Sequence, residues 1–482
     1  MPQQPIPFAP NQQSGLEPMA GATPTVINAV IEPTGAIRRR PGLVAFSTGP
    51  AVVDADGITA LHVTSAGRVY AVGGTANARA LYRLNSGVPT TISNTSVGYL
   101  LGTSRPIIAE TEAMLAIAGG DELQRIYLDG DLSDRLSSDA PIASHIIANN
   151  SRLLANSVTT SLASISYTSQ ALGSATSPHE EWTAGASTTA GAFSAEARPD
   201  RALALAENTT EVYVFGSTSV QVYGPDPVFR YSPVSTREYG CVAPYSVVKV
   251  DGYFFWLDHL RRVVRSDGRS FEVVSAAIKV TLDAIATVSD CFAYRVTVGN
   301  TDAVVFCFPT DGRSFAYQIG GGWATWMGWD DAAANHTRFS VNAACVNPST
   351  GKTLAGTTAG KVATFSGSAL TDLGTPIVLS VTTGYQDRGT DGRKHCRLVR
   401  LAFRRGETLL AGEPVALLSW RDDGGPWNPS MEIGLGTSGD YDPVVELRSL
   451  GIYRRREWKL EFSGAEDFVL VGATEEFDFL DA

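Results

Sequence analysis

Arg68-Val69-Tyr70-Ala71-Val72-Gly73-Gly74, followed by Ala80-Leu81-Tyr82-Arg83-Leu84, has a near copy further along the chain. That copy is Met114-Leu115-Ala116-Ile117-Ala118-Gly119-Gly120, followed by Gln124-Arg125-Ile126-Tyr127-Leu128-Asp129-Gly130. Each copy is an apolar β run, a glycine-bearing turn and a second β run. From Gly74 to Gly120 is 46 residues, and from Tyr82 to Tyr127 is 45. A repeat of that period decides the fold before any local motif does.

Working outward, five less similar copies keep the rhythm. Their first runs begin at Ser151, Glu211, Gly252, Ala303 and Lys352, as in Glu211-Val212-Tyr213-Val214-Phe215 and Gly252-Tyr253-Phe254-Phe255-Trp256. Spacings of about 40 to 56 residues fit a four-stranded propeller blade of about 40 to 50 with insertions. One blade cannot bury both faces alone, whereas blades stacked radially share their cores and shorten their exposed edges. The expected fold is all-β: a degenerate six- or seven-bladed β-propeller over 46–370. A generic stack of β-sandwiches is the competing architecture.

Flanking segments read differently. Residues 1–45 are expected to be an extended N-terminal arm with one strand and a turn at Pro41-Gly42. Its Arg38, Arg39, Arg40, Pro41 and Gly42 are the candidate assembly residues. Residues 170–200 are rich in Ser, Ala, Thr and Gly and are expected to be an insertion loop. Ser275 to Ala286 is the one short helix. Residues 371–482, with β runs at 376–382, 397–404, 416–420, 457–462 and 468–471, are expected to form a separate antiparallel β-sandwich-like domain.

Composition excludes several classes. With 44% hydrophobic and 18% charged residues the chain is globular. No apolar run reaches the roughly 18 residues that span a bilayer, and the N-terminus has no signal-peptide pattern. The net charge of −11 opposes tight nucleic-acid binding through clustered Lys and Arg. Five widely spaced cysteines, Cys241, Cys291, Cys307, Cys345 and Cys396, read as reduced and mostly buried thiols.

Convergent chemistry is missing. The six histidines are scattered, and no P-loop, nucleophile elbow or zinc-binding helix motif occurs. No catalytic residue, cofactor or metal is assigned. Asp258-His259 reads as a turn. Asp129-Gly130-Asp131 starts like a calcium loop but has Ala140 where the bidentate carboxylate belongs. Trp323, Trp326 and Trp329 are packed rather than sugar-stacking, and the pairs Asp422-Asp423 and Glu475-Glu476 read as solvated. The stretch from Ser419 through Asp422, Asp423, Gly424 and Gly425 to Trp427 resembles the Asp-box of sialidase-type propellers, a structural hairpin in which an Asp caps the turn and an aromatic packs back.

Taken together, Arg39-Arg40-Pro41-Gly42-Leu43, the degenerate propeller, the Ser419–Trp427 hairpin and the arginine-rich Leu450 to Phe462 segment resemble the packaged-DNA stabilisation proteins of short-tailed bacteriophages, the tail hub or nozzle family. Leu203 to Tyr223 also matches a family feature. The hairpin departs at Pro426, where Thr is commoner. The resemblance implies a non-enzymatic virion tail protein made in the host cytoplasm. It implies a ring of usually six copies below the portal and its adaptor, which retains the packaged genome and conducts it at ejection. Implied partners are further copies of the chain, the portal–adaptor, a tail fibre or spike, a distal plug or needle, and double-stranded DNA passing without sequence-specific binding. A carbohydrate- or receptor-binding propeller, or a glycoside hydrolase of that fold, is the alternative.

Overall fold

The seven sequence copies are the second and third strands of seven β-sheets. A computed structural model describes residues 3–8, 25–47, 57–74, 79–85, 87–92, 102–159, 163–169, 178–185, 188–299, 301–404, 413–436, 443–464 and 466–480. Among them, six blades are consecutive four-stranded antiparallel meanders: 58–91, 107–135, 146–194, 204–237, 248–273 and 292–325. The seventh has three strands of its own, Val341–Val346, Thr353–Thr357 and Val362–Ser366.

Burial explains why the second strands carry the legible signal. A blade's second strand is covered on both faces by its neighbours, so it reads as a continuous apolar run. Val69–Gly73, Met114–Ala118 and Arg152–Asn156 are buried at every position. Outer strands such as Val88–Thr91 are mostly exposed and carry no apolar pattern. Tight turns join the strands: Asp251 (φ 48°) and Gly252 (φ 82°) are both left-handed, the geometry a two-residue hairpin loop requires.

Adjacent blades share interlocking cores. Phe215 of the fourth meets Trp256 of the fifth edge-on at 5.2 Å, and Phe255 and Phe306 pack between the fifth and sixth. Ile58 and Leu61 of the first pack with Ala343, Leu354 and Val362 of the seventh, which closes the circle.

Closure depends on the N-terminal segment, and here the extended-arm expectation is corrected. The described residues of 3–45 include five strands: β1 (Gln3–Pro5), β2 (Thr25–Ile27), β3 (Ala29–Ile31), β4 (Ile37–Arg39) and β5 (Gly42–Ala45). β5 lies antiparallel to Val362–Ser366 and is the fourth strand of the seventh blade. Gly42 therefore opens a strand, and the turn lies instead near Gly35 (φ 86°), whose N–H donates to Glu32 O at 2.8 Å. A Cβ at position 42 would come 2.7 Å from Ala369 O, so only glycine fits this approach.

The C-terminal strands do build two sheets over a common core that includes Val381, Val399, Leu418, Trp458, Leu460 and Phe468. They are not separate from the rest. β2 joins the outer strand of the sixth blade, in parallel, to Leu379–Thr382, so one sheet runs from the propeller into the C-terminal layer. β1 and β4 pair with Val469–Phe479 in the other sheet. The 170–200 expectation also changes: Gly191–Ser194 is the outer strand of the third blade, and Trp182 is buried between the second and third. Residues 170–177 and 186–187 lie outside the described set. The short helix stands, as a turn at Ala276–Ile278 and α1 at Lys279–Asp283.

Leu43 is 2% exposed at the closing strand, and a buried Leu→Ala change costs about 2–5 kcal/mol. Leu43→Ala should lower the single melting transition of the propeller by that amount in circular dichroism, and removal of residues 1–45 should abolish it. A truncated chain melting like the full one would show that three strands suffice for the last blade.

Candidate functional site

The Arg38–Gly42 run converges on a buried node. Arg40 donates from Nε to Asn28 Oδ1 (2.9 Å), from Nη1 to Asp372 Oδ1 (3.0 Å) and Pro41 O (3.1 Å), and from Nη2 to Met327 O (3.0 Å). Its guanidinium also lies 4.4 Å from the Phe339 ring centre. Asn28, left-handed at φ 55° and fully buried, donates from its backbone to Thr325 O and from Nδ2 to Val378 O, and its Oδ1 accepts the Met327 N–H. Arg40 and Asn28 together tie the N-terminal strands to the sixth blade, the seventh blade and the C-terminal layer.

Arg39 is likewise buried and donates to the carbonyls of Gly464 and Glu466. Burial pushes its guanidinium down to about 10. Arg38 pairs with Glu32 at 3.3 Å and is partly exposed. The candidate assembly run thus makes its side-chain contacts inside its own chain, which corrects the picture of a free arm.

The Asp-box-like stretch is brought together in part. Val415–Asp422 pairs with both Met431–Gly434 and Arg456–Phe462. Asp422 accepts from Arg456 Nε (2.6 Å) and Nη2 (2.8 Å), and Arg456 is fully buried. Asp423 (φ 54°) and Gly424 (φ 84°) form the left-handed turn, with Asp423 Oδ1 accepting the N–H groups of Arg454 and Arg455. Gly425 N donates to Asp422 O at 2.8 Å. Ser419 is buried in the strand, and the Trp427 ring lies 4.9 Å from the Arg421 guanidinium. The aspartates fix a three-strand junction, so the expectation of solvated carboxylates fails for Asp422.

It also fails for Glu475. Glu475 is buried and accepts from Arg388 Nη2 (2.6 Å) and Tyr453 Oη (2.7 Å). Nearby, buried Lys394 donates to the carbonyls of Thr390, Gly392 and Arg454.

A second convergence lies among the segments that lead into the blades. The first strands of neighbouring blades lie against one another and so encircle that axis. Arg105, leading into the second blade, donates to Thr59 O (3.0 Å) of the first blade and to Asn342 O of the seventh. Its guanidinium sits 3.9 Å from the Phe292 ring centre on the sixth. Burial pushes it down to about 10. His145, before the third blade, stacks on Tyr245, before the fifth, at 5.0 Å. These contacts link blades that are not neighbours in sequence.

The remaining sequence candidates are structural. Asp258 Oδ1 accepts the N–H groups of Leu260 and Arg262 within its turn. Asp131, from the calcium-like run, accepts from Tyr70 Oη at 2.7 Å and pairs with Arg83. Trp323 and Trp326 donate to Val274 O and Ala29 O, and Trp329 packs on His336. All five cysteines are free thiols, and burial raises Cys241 and Cys345 to about 12. Among the described residues no group of three or more His, Cys, Asp or Glu could hold a metal ion.

Asn28, Asp372, Arg105, His145 and Tyr245 were not singled out by sequence reasoning. Asn28 carried a signal, as the one polar interruption of Thr25-Val26-Ile27-Asn28-Ala29-Val30-Ile31. Arg105 carried none, because its partners lie on three other blades.

Residues 24–321 match the protein family described as bacteriophage P22 Gp10, beta-propeller. The chain belongs to this family. The match spans β2 to β5 and all but the last residues of the sixth blade, so the closing strand lies within it. The Gp10-type propeller is a structural phage fold of the packaged-DNA stabilisation class. No curated protein matches the sequence. Among solved structures, the N-terminal domain of Nup159 is 8% identical, covering 71% of this chain and 99% of that one with a TM-score of 0.41. A quinoprotein alcohol dehydrogenase-like protein from Bacteroides thetaiotaomicron is 13% identical, covering 55% and 65% respectively with a TM-score of 0.34.

Two outcomes follow from these contacts. Asp422→Ala leaves the buried Arg456 without its carboxylate and should cost about 3 kcal/mol in chemical denaturation, a loss that Asp423→Ala, at an exposed turn, should not match. Burial pushes the His145 imidazole down to about 4, so it stays neutral in the folded chain while the unfolded one binds a proton below about 6.5. Its contribution is present above about pH 6.5 and is lost on acidification towards 4, worth about 3 kcal/mol in all. His145→Phe should flatten the pH dependence of stability by about one proton across that window, and an unchanged slope would contradict it.

Proposed function

We propose that this chain is a ring-forming hub or nozzle subunit of a short phage tail. Several copies, six by analogy with the resemblance, stand below the portal and adaptor, hold the packaged genome in place, and conduct it at ejection. Membership in the Gp10 family supports this reading, and one structural observation carries its geometry. Arg105 meets Phe292, and His145 meets Tyr245, across blades that are not neighbours; in this reading the conduit for a duplex lies between copies and not through one propeller.

Electrostatics fit that role. A net charge of −11 repels the phosphate backbone, so a wall of such subunits lets DNA slide without sticking. The many internal ties around Arg40, Arg39 and Arg456 make each copy a rigid block for neighbours to lean on. In the same reading the portal–adaptor, fibres or spikes, and a distal plug contact its outer faces.

The direct test is to mix the purified chain with isolated portal–adaptor complexes and weigh the product by native mass spectrometry. A closed set of copies on the adaptor is expected. A chain that stays single and never attaches contradicts the proposal.

A further inference from the structure

β1 is attached to the body differently from the strands that follow it. β2, β4 and β5 each lie between two other strands. Among the described residues β1 borders only Val469–Phe479, through the pairs Gln3↔Glu476, Gln4↔Glu475 and Pro5↔Thr474. Gln3 and Pro5 are exposed. The Ile6 N–H donates to Ala473 O at 2.9 Å, so Pro5, which has no N–H, falls at a position that needs none. Arg388 Nη1 donates to Pro5 O at 2.7 Å.

Two apolar side chains anchor the segment. Ile6 and Phe8 are buried in the core beneath the C-terminal sheets. Pro5 to Phe8 also line a groove of about 650 Å³, shared with Pro33, Thr34 and the 320–322 glycine turn, so open space borders them. The segment is thus a short peg with a built seat. Sixteen residues, 9–24, join Phe8 to Thr25, and they include Pro10, Pro18, Pro24, Gly15 and Gly21. Fully extended, that stretch reaches at most about 60 Å, comparable with the width of a compact body of this length, roughly 60 Å.

We infer that residues 3–8 are an exchangeable peg, and that each copy in the assembled ring seats its peg on the Val469–Phe479 strand of the next. The exchange remakes the same pairs, the same Arg388 contact and the same Ile6 and Phe8 burial between copies, so no contact is lost. A neighbour fixed in a ring holds its seat within the reach of the joining residues, which makes its effective concentration high. Peg and seat are different surfaces of one chain, so the link is heterologous and propagates around a closed ring. The inference rests on the ring reading above and gives it a specific contact.

The test exploits Gln3↔Glu476, a pair without mutual hydrogen bonds, where Cα atoms lie about 4.5 Å apart and a disulfide fits. A Gln3→Cys chain and a Glu476→Cys chain are mixed in equal amounts, assembled on portal–adaptor complexes and oxidised. Disulfide-linked pairs of chains are expected, and neither chain alone should give them. A chain carrying both substitutions should close the bond within itself when free and link copies into multimers when assembled. Rings whose mixed chains stay unlinked, while the doubly substituted chain closes only within itself, overturn the exchange and leave the ring standing. No bond in either state overturns the β1 pairing and the exchange with it. Failure of the unmodified chain to assemble at all overturns the ring reading, and this contact with it.

Discussion

The whole structure depends on one strand pairing separated by more than three hundred residues: β5, Gly42–Ala45, against Val362–Ser366. A circle of blades has shared cores on every side only if the last blade is as complete as the first. Three strands would leave Val362–Ser366 with an open row of backbone donors and acceptors, the edge that sheet proteins otherwise have to protect. The N-terminal segment supplies the missing strand. It then stays in the body, through β2, β3 and β4, and becomes part of both C-terminal sheets. Propeller and C-terminal layer are thus one covalent and hydrogen-bonded unit rather than two beads on a string.

Arginine is the second theme. Arg39, Arg40, Arg388 and Arg456 are inside, and each is held by carbonyls or a carboxylate from a different element. A buried guanidinium is costly to leave unpaired and has five donors in a fixed fork, so it suits a junction where several irregular backbone groups need partners. The seams between propeller and C-terminal layer are such junctions.

The blades were legible because each second strand, as in Met114–Ala118, is covered on both faces and has to be apolar throughout. The Ser419–Trp427 hairpin was legible through its turn residues, and Asp423 and Gly424 do adopt the left-handed conformations their types favour. The role of β5 was not legible. Four residues of apolar β propensity say nothing about a partner so far away, and an Arg-Arg-Arg run looks solvated until the carbonyls it serves are known. Glu475 misled for a related reason: its partner Arg388 lies on a distant loop. The contacts of Arg105 with Phe292 and of His145 with Tyr245 were hidden because these residues sit singly, each at the start of a different blade.

In the proposed reading the conduit for the genome is built between copies and not through a single propeller. Cryo-electron microscopy of the assembled tail, imaged with the genome still in place, tests this most directly. The account predicts duplex density on an axis enclosed by several copies, with every propeller bore empty of it and with β5 inserted in the seventh blade of its own chain. Duplex density running through a propeller bore would contradict the account.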